Sequence, residues 1–113
     1  MHKLYVWYKL LHEDVSQYPK TERYTLGEKL KTQALELIEG TWKANGLPLP
    51  ERLTILEQQQ RTLDLSKLLV RLVHEIGIYK LNGYVYRQER LQEIGRMLGV
   101  WRKNTRKKLG IDP

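Results

Sequence analysis

Apolar residues recur along this chain at intervals of three and four, and that spacing predicts helices almost from end to end. Leu4, Trp7, Tyr8, Leu11, Val15 and Tyr18 fall on one stripe of a helix with about 3.6 residues per turn. Pro19 ends it, because proline brings no amide donor and clashes with the preceding turn. Thr21 is placed to cap a second helix, which carries Leu26, Leu30, Ala34, Leu37 and Thr41 in one row with Leu35, Ile38 and Trp42 beside it. Asn45 and Gly46 stop that helix, and Leu47 to Pro50 reads as an extended linker. A third helix follows, closed by Gly77 in a left-handed cap. Ile78 to Gly83 then turns the chain into a fourth. The expected bounds are about 2–17, 22–45, 51–76 and 84–109. No alternating apolar run lies between hairpin turns, so no strand is expected. Four helices with short connections predict an all-α fold: an antiparallel up-down-up-down four-helix bundle, one domain over residues 1–113.

The third helix carries more apolar surface than one core contact needs. Leu63, Leu65, Leu68, Leu69, Val70, Leu72, Val73, Ile76 and Ile78 cover more than the roughly 100° stripe of a surface helix. A homo-oligomer is expected, with Leu65, Leu69, Leu72 and Ile76 as its interface; the alternative is that the other helices of the same chain bury the surplus. Gln58 to Gln60, earlier in that helix, suits a solvated face.

Composition adds a boundary. Hydrophobic residues make up 41% of the chain and charged ones 29%, the proportions of a globular protein rather than a disordered one. Cysteine is absent, which removes disulfides, thiolate metal sites and cysteine nucleophiles together. The opening residues interleave charge with every apolar group, so neither a signal peptide nor a membrane span is expected, and the location expected is cytoplasmic.

Charge changes the picture most. The net charge is +7, and residues 84–108 hold Arg87, Arg90, Arg96, Arg102, Lys103, Arg106, Lys107 and Lys108 against only Glu89 and Glu93. With Leu98 at the centre of a helical wheel, Leu91, Ile94, Trp101 and Thr105 fall within about 60° of it and form a core face. The bases encircle the opposite half. The helix dipole favours cations in a last turn, but it does not reach back to Arg87, Arg90 and Arg96. A concentrated positive field of this kind attracts polyanions, nucleic acid foremost. Lys67, Arg71 and His74 step along the third helix as a solvated edge, with an Arg71 salt bridge to a neighbouring helix's carboxylate as one version of that reading, or as an extension of the same surface.

Two glycines four apart, Gly95 and Gly99, interrupt the fourth helix, where each costs about 1 kcal/mol relative to alanine. Close approach of another helix is the simplest compensation, with Trp101 filling the volume alongside; a tryptophan near bases can instead stack on nucleobases, but its place on the apolar row favours the core. Catalysis is not expected. The Glu-x-x-His pattern of di-metal bundles fails, since Lys9 and Arg71 stand three before His12 and His74, and no phosphate loop, nucleophile elbow or zinc-protease motif is present. No cofactor and no metal is expected.

Three segments carry a family resemblance: YPKTERYTLGEKLKTQALELIEGTWKAN at 18–45, LLVRLVHEIG at 68–77 and IGRMLGVWRK at 94–103. On them the chain resembles the accessory variability determinant (Avd) proteins of diversity-generating retroelements, within a group of four-helix-bundle proteins that includes ribosomal intervening-sequence proteins. The Leu98, Gly99 and Trp101 combination is more similar to the retroelement branch. The resemblance implies a ring-like homopentamer with a basic surface. It also implies a non-enzymatic role beside the element's reverse transcriptase, which copies template RNA into mutagenised cDNA (mutagenic retrohoming). RNA is the implied ligand, with DNA or an RNA–DNA hybrid as further ones. By position it assigns Arg71, Arg96, Arg102 and Lys103 to that surface. The alternatives are an intervening-sequence-type protein, or an interaction scaffold with no tie to a reverse transcriptase.

Overall fold

The structure, a computed structural model, describes residues 1–111. Helix α1 is His2–Ser16, α2 is the single turn Lys20–Glu22, α3 is Glu28–Asn45, α4 is Leu49–Glu75 and α5 is Leu81–Lys108. A π-helical turn, Arg23–Gly27, joins α2 to α3, so that four long helical rods result. No strand occurs among the described residues.

Contacts between rods establish their senses. Gln59 of α4 reaches Leu37 and Thr41 of α3, while Ser66, further along, reaches Gln33. Gln88 of α5 donates to the Lys67 carbonyl, and Arg106 faces Glu57. Lys3 of α1 meets Glu93, whereas Asp14 meets Arg87. In each pair one residue number rises as the other falls, so neighbouring rods run antiparallel. The bundle measures 48 × 22 × 20 Å, its long axis close to the roughly 42 Å that a helix of 28 residues spans.

The core is built from the stripes that the spacing marks out. Leu4, Trp7, Leu11, Val15 and Tyr18, then Leu30, Ala34 and Leu37, then Leu56, Leu63, Val70 and Val73, and finally Leu91, Ile94 and Leu98 are buried together. Burying one such side chain contributes about 1.5–3 kcal/mol, which outweighs the helix propensities of individual residues.

Element ends differ from expectation at three places. Pro19 rather than Thr21 is the N-cap of the second rod, which begins at Lys20. The expected linker is partly helical: Pro48 is the cap, and Leu49 and Pro50 occupy the first turn, where a missing amide loses no hydrogen bond. The expected turn up to Gly83 is also partly helical, since Lys80 caps α5 and the Tyr84 amide already bonds the Lys80 carbonyl at 2.8 Å. Gly77 does close α4 at φ +90°, with the Ile78 amide reaching back to the Val73 carbonyl.

Gln59 is another departure. The Gln58 to Gln60 run does not lie on a solvated face throughout: Gln59 is buried, its amide donating to the Leu37 carbonyl at 2.6 Å and to Thr41 Oγ1 at 3.1 Å. A Cβ at Gly40 would overlap that carboxamide, so the glycine in α3 is what lets the amide in. With the Ser66–Gln33 bond at 2.8 Å, it fixes how α4 slides along α3.

The other helices of the chain leave much of the α4 surplus uncovered. Leu65, Leu68, Leu72 and Ile76 are exposed, while Leu69 and Ile78 are half-buried. Trp42 of α3 is 71% exposed, a large apolar area for a solvated helix. No described helix is long and apolar enough to cross a membrane.

Candidate nucleic-acid interface

Helix α5 presents two faces that the sequence separates cleanly. Leu91, Ile94, Leu98 and Thr105 are buried, and Trp101 is half-buried against the core. Thr105 donates its hydroxyl to the Trp101 carbonyl at 2.8 Å, which uses its polar group locally and lets the residue sit inside. Trp101 is therefore packed rather than poised for stacking on a base.

The expected basic residues divide by position. Arg87 is at the bundle interior's edge, its side chain 16% exposed against an Asp14 side chain 11% exposed. Its guanidinium grips that carboxylate with two bonds, Nε to Oδ2 at 2.7 Å and Nη2 to Oδ1 at 2.6 Å, while Nη1 donates to the Gly83 carbonyl at 2.9 Å. The same group lies 4.4 Å from the Tyr79 ring centroid. Tyr79 donates to Asp14 at 2.9 Å and meets the Tyr18 hydroxyl at 2.5 Å. These bonds to Asp14 hold the Arg87 guanidinium further into its charged form. Burial pushes the Tyr18 phenol up to about 12 and the Tyr79 phenol higher still. Arg87 thus belongs to a closed structural network and is no part of an exposed basic face, contrary to expectation.

Arg90 is engaged as well. It donates to Glu93 at 2.6 Å and stacks over Tyr86 at 4.6 Å. Lys3 of α1 binds the same carboxylate at 3.0 Å, so that Lys3 first and Arg90 second hold the Glu93 carboxyl below the usual range. Contact with Tyr86 and Glu93 favours the charged Arg90. Its charge is partly offset by a carboxylate that it shares with Lys3.

Beyond Glu93 the pattern changes. Arg96, Lys103, Lys107 and Lys108 are exposed and Arg102 is half-buried, and none of the five has a hydrogen-bonding or ionic partner among the described residues. Arg106 approaches Glu57 of α4 at 3.9 Å. Gly99, Arg102, Lys103 and Arg106 line a depression of about 550 Å³ on the α4-facing flank of α5. Their spacing of three, four and seven is that of a single helical ridge.

The two glycines have different surroundings. A Cβ at Gly95 would lie 3.2 Å from Leu63 Cδ2 and 3.6 Å from Lys67 Nζ, so α4 does approach closely there. A Cβ at Gly99 would meet nothing within 4 Å. The expected helix approach therefore fails at Gly99 within the chain, and the glycine opens the basic depression instead. Sequence reasoning missed this role, as it missed Glu57.

The third-helix residues also separate. Lys67 brings its ammonium beside Gly95, one turn from the depression. Arg71 pairs loosely with Glu75 of its own helix at 3.6 Å, both exposed, an arrangement that contributes little. His74 is structural: its ring stacks on Tyr84 with centroids 4.5 Å apart, and Nδ1 bonds the Tyr79 carbonyl at 2.8 Å. No described cluster of histidine and carboxylate residues is placed to hold a metal ion.

A family model described as bAvd-like matches residues 2–105, which spans all four rods except the last residues of α5. Comparison with curated proteins and with solved structures gives no significant match.

Proposed function

Because the chain belongs to the bAvd-like family, we propose that it is a non-enzymatic accessory subunit that binds nucleic acid beside a retroelement's reverse transcriptase, in the mutagenic copying of template RNA into cDNA. The observation that carries the binding half of this reading is the second half of α5, where five partnerless cations are spread around the solvent side of the helix with no carboxylate between them in sequence. Phosphate contacts supply such binding, so it is indifferent to base sequence apart from what Asn104 could read. The surface consists of Arg96, Arg102, Lys103, Arg106, Lys107 and Lys108, with Lys67 at its edge and Arg71 as an outlying contributor.

Self-association completes the reading. Leu65, Leu72 and Ile76, with Leu69 half-buried beside them, form an apolar face on α4. Leu72 and Ile76 also border a groove of about 520 Å³ with Leu26. Ring closure into a homopentamer would cover this face and repeat the basic ridge around the assembly. The complex works in the cytoplasm, where the template RNA is copied.

The test is affinity for a structured RNA and for a duplex DNA across a potassium chloride series, with the subunit count read by light scattering. Affinity is expected to fall steeply and linearly on a log–log plot. A flat response would exclude phosphate-dominated binding. Capture of the reverse transcriptase from nuclease-treated extract tests the partnership, and its absence would leave only the nucleic-acid half.

A further inference from the structure

Gly99 stands where no packing requirement holds it. Within the chain a Cβ would meet open space, and alanine would make the helix more stable. Its neighbour on the same ridge, Gly95, has the opposite surroundings, pressed against Leu63. The open position coincides with the floor of the depression, and the walls are three cations and nothing else: Arg102, Lys103 and Arg106.

Each wall residue has a distinct setting. Arg102 is half-buried and has no hydrogen-bonding or ionic partner among the described residues. Arg106 is drawn toward Glu57 of α4 at 3.9 Å, so its stem leans across the flank rather than out into solvent. Lys103 is exposed and completes the ring from the outer side. Two planar guanidinium forks and one ammonium line an open depression of about 550 Å³, and such groups donate to phosphate oxygens in bidentate and single bonds. A side chain at position 99 would project between them.

We propose that the Gly99 depression is a seat for one backbone phosphate of the bound nucleic acid, gripped by Arg102, Lys103 and Arg106. The seat sets the register of the strand along α5, while Arg96, Lys107 and Lys108 contribute diffuse attraction around it. This rests on the nucleic-acid reading above and sharpens it from a charged face to a position. A free phosphate ion presents the same chemistry, and the two sources are separable by experiment.

The full-length chain is compared with Gly99→Ala, Gly99→Leu and Arg102→Gln by thermal unfolding, light scattering and binding to a labelled duplex DNA in a chloride series. Both glycine replacements are expected to raise the unfolding midpoint by a few degrees, and to leave the assembly mass unchanged. Gly99→Leu should lower affinity about three- to tenfold and reduce the log–log salt slope by about 0.9, the signature of one lost phosphate contact. Arg102→Gln should do the same on a native Gly99, and the two losses should not add. Inorganic phosphate replacing chloride at matched ionic strength should compete better against the wild type than against Gly99→Leu.

Wild-type affinity and slope in Gly99→Leu would overturn the seat. If Arg96→Gln, Lys107→Gln and Lys108→Gln together still weakened binding, the wider reading would stand without it. A lower assembly mass in Gly99→Leu would instead assign the glycine to contact between copies, which also overturns the proposal. Equal competition by phosphate in both proteins, with the DNA effect intact, would restrict the site to the polymer and exclude free phosphate as a ligand.

Discussion

Arg87 and Arg90 lie in the first half of α5, and Arg96, Arg102, Lys103, Arg106, Lys107 and Lys108 in the second; both sets sit on one continuous helix, yet every base of the first is held by a carboxylate at 2.6 Å, whereas in the second only Arg106 approaches one, Glu57 at 3.9 Å. The difference comes from what runs alongside. Helix α1 brings Asp14 to Arg87 and Lys3 to Glu93, and both of its acids, Glu13 and Asp14, stand at the Arg87 end. Where a base faces an acid across a half-buried boundary, it becomes part of the fold. Where it faces solvent, it remains available to a ligand. Residue type alone therefore does not say which role a cation takes.

The largest expected effect comes from breaking the first half. Asp14→Ala leaves the Arg87 guanidinium half-buried without its anion, and removing one partner of such a pair typically costs about 3 kcal/mol. Urea unfolding should show that loss, while nucleic-acid affinity at temperatures where the variant is folded should stay within about twofold of wild type. A large affinity loss in the folded variant would erase the distinction between the halves. A smaller effect sharpens it: Glu93→Gln removes the one carboxylate that Arg90 and Lys3 share, raising the local charge by one and releasing both cations toward a ligand. Because Lys3 and Arg90 hold the Glu93 carboxyl low, the pairing is intact at neutral pH. The expected outcome is a modest rise in affinity at low salt, about twofold, with the unfolding midpoint nearly unchanged. No rise would mean that Arg90 lies outside the reach of the bound strand.

Much of the fold was legible because helical periodicity is local. The stripes through Leu4, Leu30, Leu63 and Leu98 name the core faces directly, and Gly77 announces its own cap. The ends of elements were less legible, since Pro48 and Lys80 serve as caps through backbone conformation rather than through a capping side chain. The site divided in the same way. Spacing placed Arg96, Lys103 and Lys107 on the exposed side of α5. It had no access to Asp14, which meets Arg87 across 73 positions of sequence. Asp14 stands near Lys3 and Lys9 in sequence, whereas in space it neutralises a base on another helix. Gln59 was hidden for a related reason: its partners, Leu37 and Thr41, come from α3, and the space for its amide exists only because residue 40 lacks a side chain.

The exposed apolar residues of α4 are the counterpart of this lesson on the uncharged side. Leu65, Leu68, Leu72 and Ile76 remain uncovered by the chain's own helices, so periodicity marked a surplus that intrachain packing does not absorb. Hydrophobic association and cation repetition then serve one purpose in the proposed ring, where each added copy brings another basic ridge to the same strand.

The most direct measurement is the salt dependence of nucleic-acid binding for the wild type beside a variant with Arg96, Lys103 and Lys107 all replaced by glutamine. These residues are exposed and have no hydrogen-bonding or ionic partner among the described residues, so helicity, unfolding midpoint and assembly mass should be unchanged. The log–log slope for duplex DNA should drop by about two to three, as three phosphate neutralisations are removed. An unchanged slope and affinity in the folded, fully assembled variant would contradict the assignment of this half of α5 to nucleic acid.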